Sequence, residues 1–219
     1  MSNYVALIAV KGNSQRIRKK NTRSFHDTNL LELKLKQIIS VKSLDKIYVS
    51  SENEEVLKIA QKFNVETHVR NPKYSTSKIP MSEVYSYLAS ECVGENIVWI
   101  PVTNPLAYTN VYEKAINIHK NMGANYDCLI SVTEINDYIF YKKKPIGFTL
   151  NPWIRSQDLN DISALTFVVS ILKREDMINN GSLLGGNPYF YYLDRITSWD
   201  IDFIEDFQFC EMIYKNNKS

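Results

Sequence analysis

A chain of 219 residues, 44% hydrophobic and 12% aromatic, can bury roughly 70% of its unfolded surface, so it needs neither a disulfide framework nor a structural metal to fold. Its formal net charge of +2 disfavours duplex nucleic acid as a partner. Cys92, Cys128 and Cys210 form no C-x-x-C pair, no apolar run nears the roughly 18 residues of a membrane helix, and the N-terminus lacks a secretion-signal pattern, so a soluble cytoplasmic protein with a single domain over 1–219 is expected.

Residues 4–10 (Tyr-Val-Ala-Leu-Ile-Ala-Val) are an apolar run without polar alternation, the pattern of a strand buried on both faces of a parallel sheet. Six of the next thirteen side chains are basic: Lys11, Arg16, Arg18, Lys19, Lys20 and Arg23. In open α/β sheets ligands gather at the carboxyl ends of strands, so a phosphate-rich ligand is the first hypothesis. A solvated loop with Asn13, Ser14 and Asn21 as turn residues is the competing one. Neither G-x-G-x-x-G nor G-x-x-x-x-G-K-[ST] occurs near Gly12, so charged side chains would have to do much of the anion binding.

Downstream, helical and strand patterns alternate: helix 30–39, strand 46–50, helix 52–63, strand 65–68, helix 81–91, strand 97–100, helix 111–122, strand 128–132. This is the signature of an α/β fold with a mostly parallel sheet. The pattern then changes. Residues 138–141, a turn region at 142–147 and residues 148–150 suggest a hairpin, within an excursion at 136–160 that suits a partner subunit. A strand at 165–172, a short helix at 174–179, a strand at 189–193 and a last helix at 203–215 follow. His68 fits a strand end, His119 an exposed helix face, and His26 follows the basic loop. The aromatic run Tyr189 to Tyr192 reads as sheet core.

Trp199-Asp200-Ile201-Asp202 is the second informative segment. Residues two apart on an extended chain project to one side, so Asp200 and Asp202 could share an ion; Mg²⁺ is typically held by one or two carboxylates plus phosphate oxygens. Asp202 followed by Glu205 also reads as a helix N-cap signature, and Asp206 as a solvated or dipole-complementing charge.

Together these segments resemble the cytidylyltransferases that activate acidic sugars, the CMP-sialic acid and CMP-Kdo synthetase family. The family's first-loop pattern P-A-R-x-G-S-K-R-I-P-x-K-N is similar to the segment from Ala9 to Asn21, without a gap. In chain order, Ser50-Ser51-Glu52-Asn53-Glu54-Glu55 resembles S-T-D-D-x-E, and Thr103-Asn104-Pro105-Leu106 resembles T-S-P-L. Arg155-Ser156-Gln157-Asp158-Leu159 resembles R-x-Q-D-L, and Asp200-Ile201-Asp202 with Glu205-Asp206-Phe207 resembles D-I-D-x-x-E-D-F. The resemblance spans nearly the whole chain.

It implies a three-layer Rossmann-like nucleotidyltransferase fold with a mixed, mostly parallel sheet. It implies transfer of CMP from CTP to an acidic acceptor with release of pyrophosphate, supplying nucleotide sugar for a cell-surface polysaccharide, by a homodimer. Lys11, Gly12, Asn13, Ser14, Arg16, Lys20 and Asn21 would bind the nucleotide, with Arg70 and Ser82 aiding cytidine. Asp200 and Asp202 would hold Mg²⁺ (or Mn²⁺), and Lys20, Arg16, Asp200 and Asp202 would carry catalysis. Thr103, Asn104, Arg155 and Gln157 would face the acceptor, with Arg155 equally readable as a surface partner of Asp158 or Asp161. Three departures stand out: Lys11 replaces an Arg, Pro101 replaces a sugar-contacting Gln, and residues 164–169 replace N-G-A-I-Y. A phosphonate acceptor, another nucleotide-sugar enzyme using Asp200 and Asp202 for metal, and a non-catalytic nucleotide-binding module are the alternatives.

Overall fold

The computed structural model describes residues 3–12, 14–159 and 161–217. Its elements are β1 (Tyr4–Ala9), α1 (Leu30–Ile39), β2 (Lys46–Ser51), α2 (Glu54–Gln61), β3 (Glu66–Val69), α3 (Met81–Ser90), β4 (Asn96–Trp99), α4 (Thr109–Asn121) and β5 (Cys128–Glu134). There follow β6 (Ile139–Tyr141), β7 (Lys144–Ile146), β8 (Ser163–Lys173), α5 (Arg174–Asn180), β9 (Pro188–Tyr192) and α6 (Ile204–Asn216).

Seven strands form one sheet in the order β3-β2-β1-β4-β8-β5-β9. All pairs are parallel except those of β8, which runs antiparallel to β4 and β5. The reversal has a simple cause. The chain leaves β5 at its carboxyl end, makes the β6–β7 excursion, and re-enters the sheet from that same end, between β4 and β5. Alternation along the strands feeds two cores, because successive side chains point to opposite faces. Ala6 and Ile8 pack with Leu31, Leu35, Val56, Tyr112 and Phe207 beneath α1, α2, α4 and α6. Val5, Leu7, Ile97 and Cys128 pack with Val84, Leu88 and Met177 beneath α3 and α5. The layers are helix, sheet, helix, and among the described residues no helix is long and apolar enough to cross a membrane.

Four local expectations are corrected. The hairpin turns at Lys142 and Lys143, both left-handed with φ of 49° and 65°, so its second strand lies inside the segment expected to be the turn. Two positive-φ residues match the right-handed twist of hairpin strands, and neither is the expected Asn or Gly. The last helix is capped by Asp206 and not by Asp202. Asp206 Oδ2 accepts the backbone N–H groups of Asp202 and Phe203 at 3.0 and 2.8 Å, and Oδ1 accepts Trp199 Nε1 at 3.2 Å. His119 is half-buried, with Nδ1 2.8 Å from the Tyr4 hydroxyl, and burial pushes its pKa down to about 4. In β9, Tyr191 is core while Phe190 and Tyr192 stay exposed, as an edge strand allows.

The segment after β4 is fixed from below by a buried lysine amine. Lys34 on α1 has no exposed surface, and its Nζ donates to the carbonyls of Asn104 (2.8 Å) and Ala107 (3.3 Å) and to the Tyr112 hydroxyl. Three neutral polar groups thus surround the buried nitrogen, and burial pushes its pKa well below the ordinary lysine value. Gln37 Nε2 adds a bond to the Pro105 carbonyl at 2.8 Å. Lys34→Met keeps the stem but strands these acceptors, and urea unfolding should show a loss of about 1–3 kcal/mol; a midpoint and slope equal to wild type would refute this role for the amine.

Candidate active site

The strand order places β1 and β4 side by side, and from β1 the chain winds first toward β2 and β3 and then the opposite way. A crevice opens where the order reverses, outside the carboxyl ends of such strands. A cavity of about 360 Å³ lies there, lined by Ala9, Lys11, Ser14, Gln15, Arg16, Ile17, Lys20, Asn21, Ser75, Ser77, Pro101, Val102 and Thr103.

The basic loop is anchored at several described residues. Ile17 and Phe25 are buried anchors, and Phe25 stands edge-on to Phe207 of α6 with ring centroids 5.2 Å apart. Lys19 takes a left-handed backbone (φ 53°) and reaches Glu55 at 3.0 Å. Asn21 Nδ2 ties the loop across its own mouth to the Lys11 carbonyl at 3.0 Å. Asn21 Oδ1, beside the cavity, is buried with no donor reaching it among the described residues.

The acidic segment meets this loop directly. Ile201 is fully buried; its N–H donates to the Thr103 carbonyl at 2.9 Å and its carbonyl accepts Lys20 Nζ at 2.6 Å. Asn104 Nδ2 donates to the Trp199 carbonyl at 3.2 Å. Arg16 Nη2 lies 2.9 Å from Asp202 Oδ1, with Lys20 Nζ 4.0 Å from the same oxygen, and the Arg16 guanidinium stacks 5.2 Å over the Phe203 ring. Burial lowers the Lys20 pKa, with the Asp200 and Asp202 charges opposing it. Burial also raises the Asp200 pKa; the Thr103 side chain opposes this by hydrogen bonding, and the neighbouring Asp202 charge adds to it. A like-charged carboxylate pair of this kind is eased by a cation.

Thus Lys11, Ser14, Arg16, Lys20, Asn21 and Thr103 meet at one cavity, with Asp200 and Asp202 at its edge. Asn13 lies outside the described residues. The Gly12 N–H points at Glu52 Oε1 (2.8 Å), so it is not offered to a phosphate. Arg70 is 1% exposed, with Nε 3.2 Å from Ser50 Oγ, and it lines a neighbouring depression with His68 and Tyr87. Ser82 lies in a separate groove between α3 and α5. Asn104 is buried as a strut of the acidic segment. Arg155 spends its fork on Asp158, at 2.7 and 3.1 Å, beside exposed Gln157; neither lines the cavity. His26 is held by Glu211 through its backbone N–H. Sequence reasoning missed Ser75 and Ser77, which form the wall facing the basic loop; only their hydroxyls, shortly after β3, could have flagged them.

A family model described as Cytidylyltransferase matches residues 5–159. Post-translational flagellin modification protein B of Campylobacter coli is 24% identical, the match covering 98% of this chain and 96% of that protein. A pseudaminic acid cytidylyltransferase of Campylobacter jejuni is 23% identical, with 97% of each chain covered. Among solved structures, CMP:2-keto-3-deoxy-manno-octonic acid synthetase complexed with CTP superposes with a TM-score of 0.75 over 99% of this chain and 100% of that one at 9% identity, a likeness of fold. Strand order, crevice and family match agree: the chain belongs to the cytidylyltransferase family.

Proposed function

We propose that the protein transfers CMP from CTP to an acidic acceptor, a 2-keto acid sugar or a related acid, with release of pyrophosphate. The observation that carries this reading is the meeting of Arg16 and Lys20 with Asp202 at 2.9 and 4.0 Å, on the rim of a cavity at the sheet's switch point. The relatives' names supply the acceptor class, since a pseudaminic acid cytidylyltransferase aligns end to end.

An acceptor oxygen attacks the α-phosphorus, a new O–P bond forms, and the bond to the bridging oxygen breaks with its electron pair leaving on pyrophosphate. Such transfers rely on positioning and on neutralising charge. Lys20, Arg16 and Lys11 face the triphosphate and offset the charge that builds on the departing group. Lys20 is well placed for this because its carbonyl bond to Ile201 holds the ammonium at the cavity wall. Ser14 offers a hydroxyl, and Asn21 braces the loop through its bond to the Lys11 carbonyl.

Asp200 and Asp202 fit Mg²⁺ (or Mn²⁺): two carboxylates, one with its pKa raised partly by the other, match an ion that takes its remaining ligands from phosphate and water. When bound, the ion supplies Lewis-acid charge to phosphate oxygens. Pro101 on the cavity wall has no side-chain donor or acceptor, so acceptor selection here cannot copy a glutamine contact.

A cytoplasmic homodimer completes the proposal. The excursion exposes Phe140 (51%), Tyr141 (62%) and Trp153 (60%), an apolar surface suited to a second copy. Light scattering at micromolar concentration should give twice the mass of one chain, and a monomer would remove this element.

Incubation with each of the four nucleoside triphosphates, Mg²⁺, pyrophosphatase and a panel of 2-keto acid sugars and phosphonates should release phosphate with CTP. Equal rates with all four, or none on any acceptor, would contradict the reading. Asp200→Asn should lower kcat/KM by about 100-fold or more while the melting temperature changes little, and Lys20→Ala should lower kcat/KM as far while also lowering the melting temperature, because it strands the Ile201 carbonyl; full activity in either variant would displace that residue from the chemistry.

A further inference from the structure

We propose that Glu52 is a positioning residue for nucleotide binding, a carboxylate clamp that sets the span between the two walls of the basic cavity; this rests on reading that cavity as the CTP site. Glu52 follows buried Ser51 at the carboxyl end of β2. Its two oxygens serve opposite walls: Oε1 accepts the Gly12 N–H and Oε2 accepts the Ser75 hydroxyl, each at 2.8 Å. Lys11, next to Gly12, and Ser75 both line the cavity.

The clamp is rooted on three sides. Asn53 caps α2 by accepting the Val56 N–H at 3.2 Å, and Gly12 rests against its side chain so closely that a Cβ there would lie 2.4 Å from Asn53 Cβ. Behind, the buried Arg70 guanidinium is attracted to the Glu52 charge and fastened to Ser50 through Nε and Nη2. Ser50 in turn is a fully buried β2 residue.

A carboxylate beside an anion site repels the ligand unless its charge is engaged elsewhere. Here both oxygens hold donors and a guanidinium stands behind, so the lasting effect of Glu52 is geometric. A ligand that bridges both walls gains from a span fixed in advance, because less ordering remains to be done on binding. A ligand that touches only the basic wall gains nothing from it.

CTP is such a bridging ligand, and inorganic tripolyphosphate is a probe of the basic wall alone. Calorimetric titration of both, with Mg²⁺, would compare wild type with Glu52→Ala, Glu52→Asp and Glu52→Gln. Glutamine can keep both contacts, its oxygen accepting from Gly12 and its amide donating to Ser75 Oγ, so it serves as the rescue. Asp keeps the charge but falls short by one methylene. Glu52→Ala and Glu52→Asp should each weaken CTP about tenfold and tripolyphosphate less than about twofold, with Glu52→Gln within about threefold of wild type for CTP. The Asp variant carries the test alone if the Ala variant does not fold. Unchanged CTP affinity, or equal weakening of both ligands, overturns the clamp. A wild-type protein that binds tripolyphosphate but not CTP would instead overturn the functional reading on which the clamp rests.

Discussion

Ile201 is the joint on which this molecule depends. Its N–H meets the Thr103 carbonyl and its carbonyl meets the Lys20 ammonium, so one buried residue links the exit of β4, the basic loop and the start of α6. Lys20 and Ile201 are 181 positions apart, and closing so long a loop is entropically costly. The cost is met by burial: Ile201, Phe207 and Phe25 lie in the same core, and the hydrogen bonds merely register what that core brings together. The flanking aspartates then have no choice of place. Residues 200 and 202 leave opposite the buried side chain of 201 and reach the cavity rim.

Electrostatics and packing are hard to separate here. Lys34 spends its buried amine below the Thr103 to Ala107 segment, and Asn104 passes that order on to Trp199. Asp206 anchors Trp199 and the N–H groups of Asp202 and Phe203. The Asp202 carboxylate is thereby spared capping duty and is free to face Arg16. The acidic pair is thus presented by a frame of polar bonds, each drawn from outside the cavity. Such surrounding support is what fixes a reactive group's geometry.

Much of this was legible in the sequence, for identifiable reasons. The continuous apolar runs of β1 and β4 announce strands buried on both faces, and the ten residues of α1 match their periodic pattern end to end. The charge clusters at 11–23 and 200–202 suggest phosphate and metal groups, and the fold brings members of the two together, with Arg16 2.9 Å from Asp202. What stayed hidden depends on tertiary context. Lys142 and Lys143 adopt a turn conformation their side chains do not favour. His119 sits on a helix face that is polar by composition yet is covered by Tyr4. Arg70 and Asn104, legible as ligand contacts from motif position, are consumed by Ser50 and Trp199 respectively. Local pattern cannot report which partner wins a side chain that could serve either ligand or frame.

The seat of Phe25 against α6 has a consequence for how competence arises. The ring that steadies the cationic loop rests on Phe207 and beside Tyr214, residues encoded after every strand of the sheet. A nascent chain stopped at the end of β9 would therefore lack the aspartates and also leave the early loop unseated. Neither half of the charge array matures alone, and the sheet can be complete while the molecule is still chemically silent.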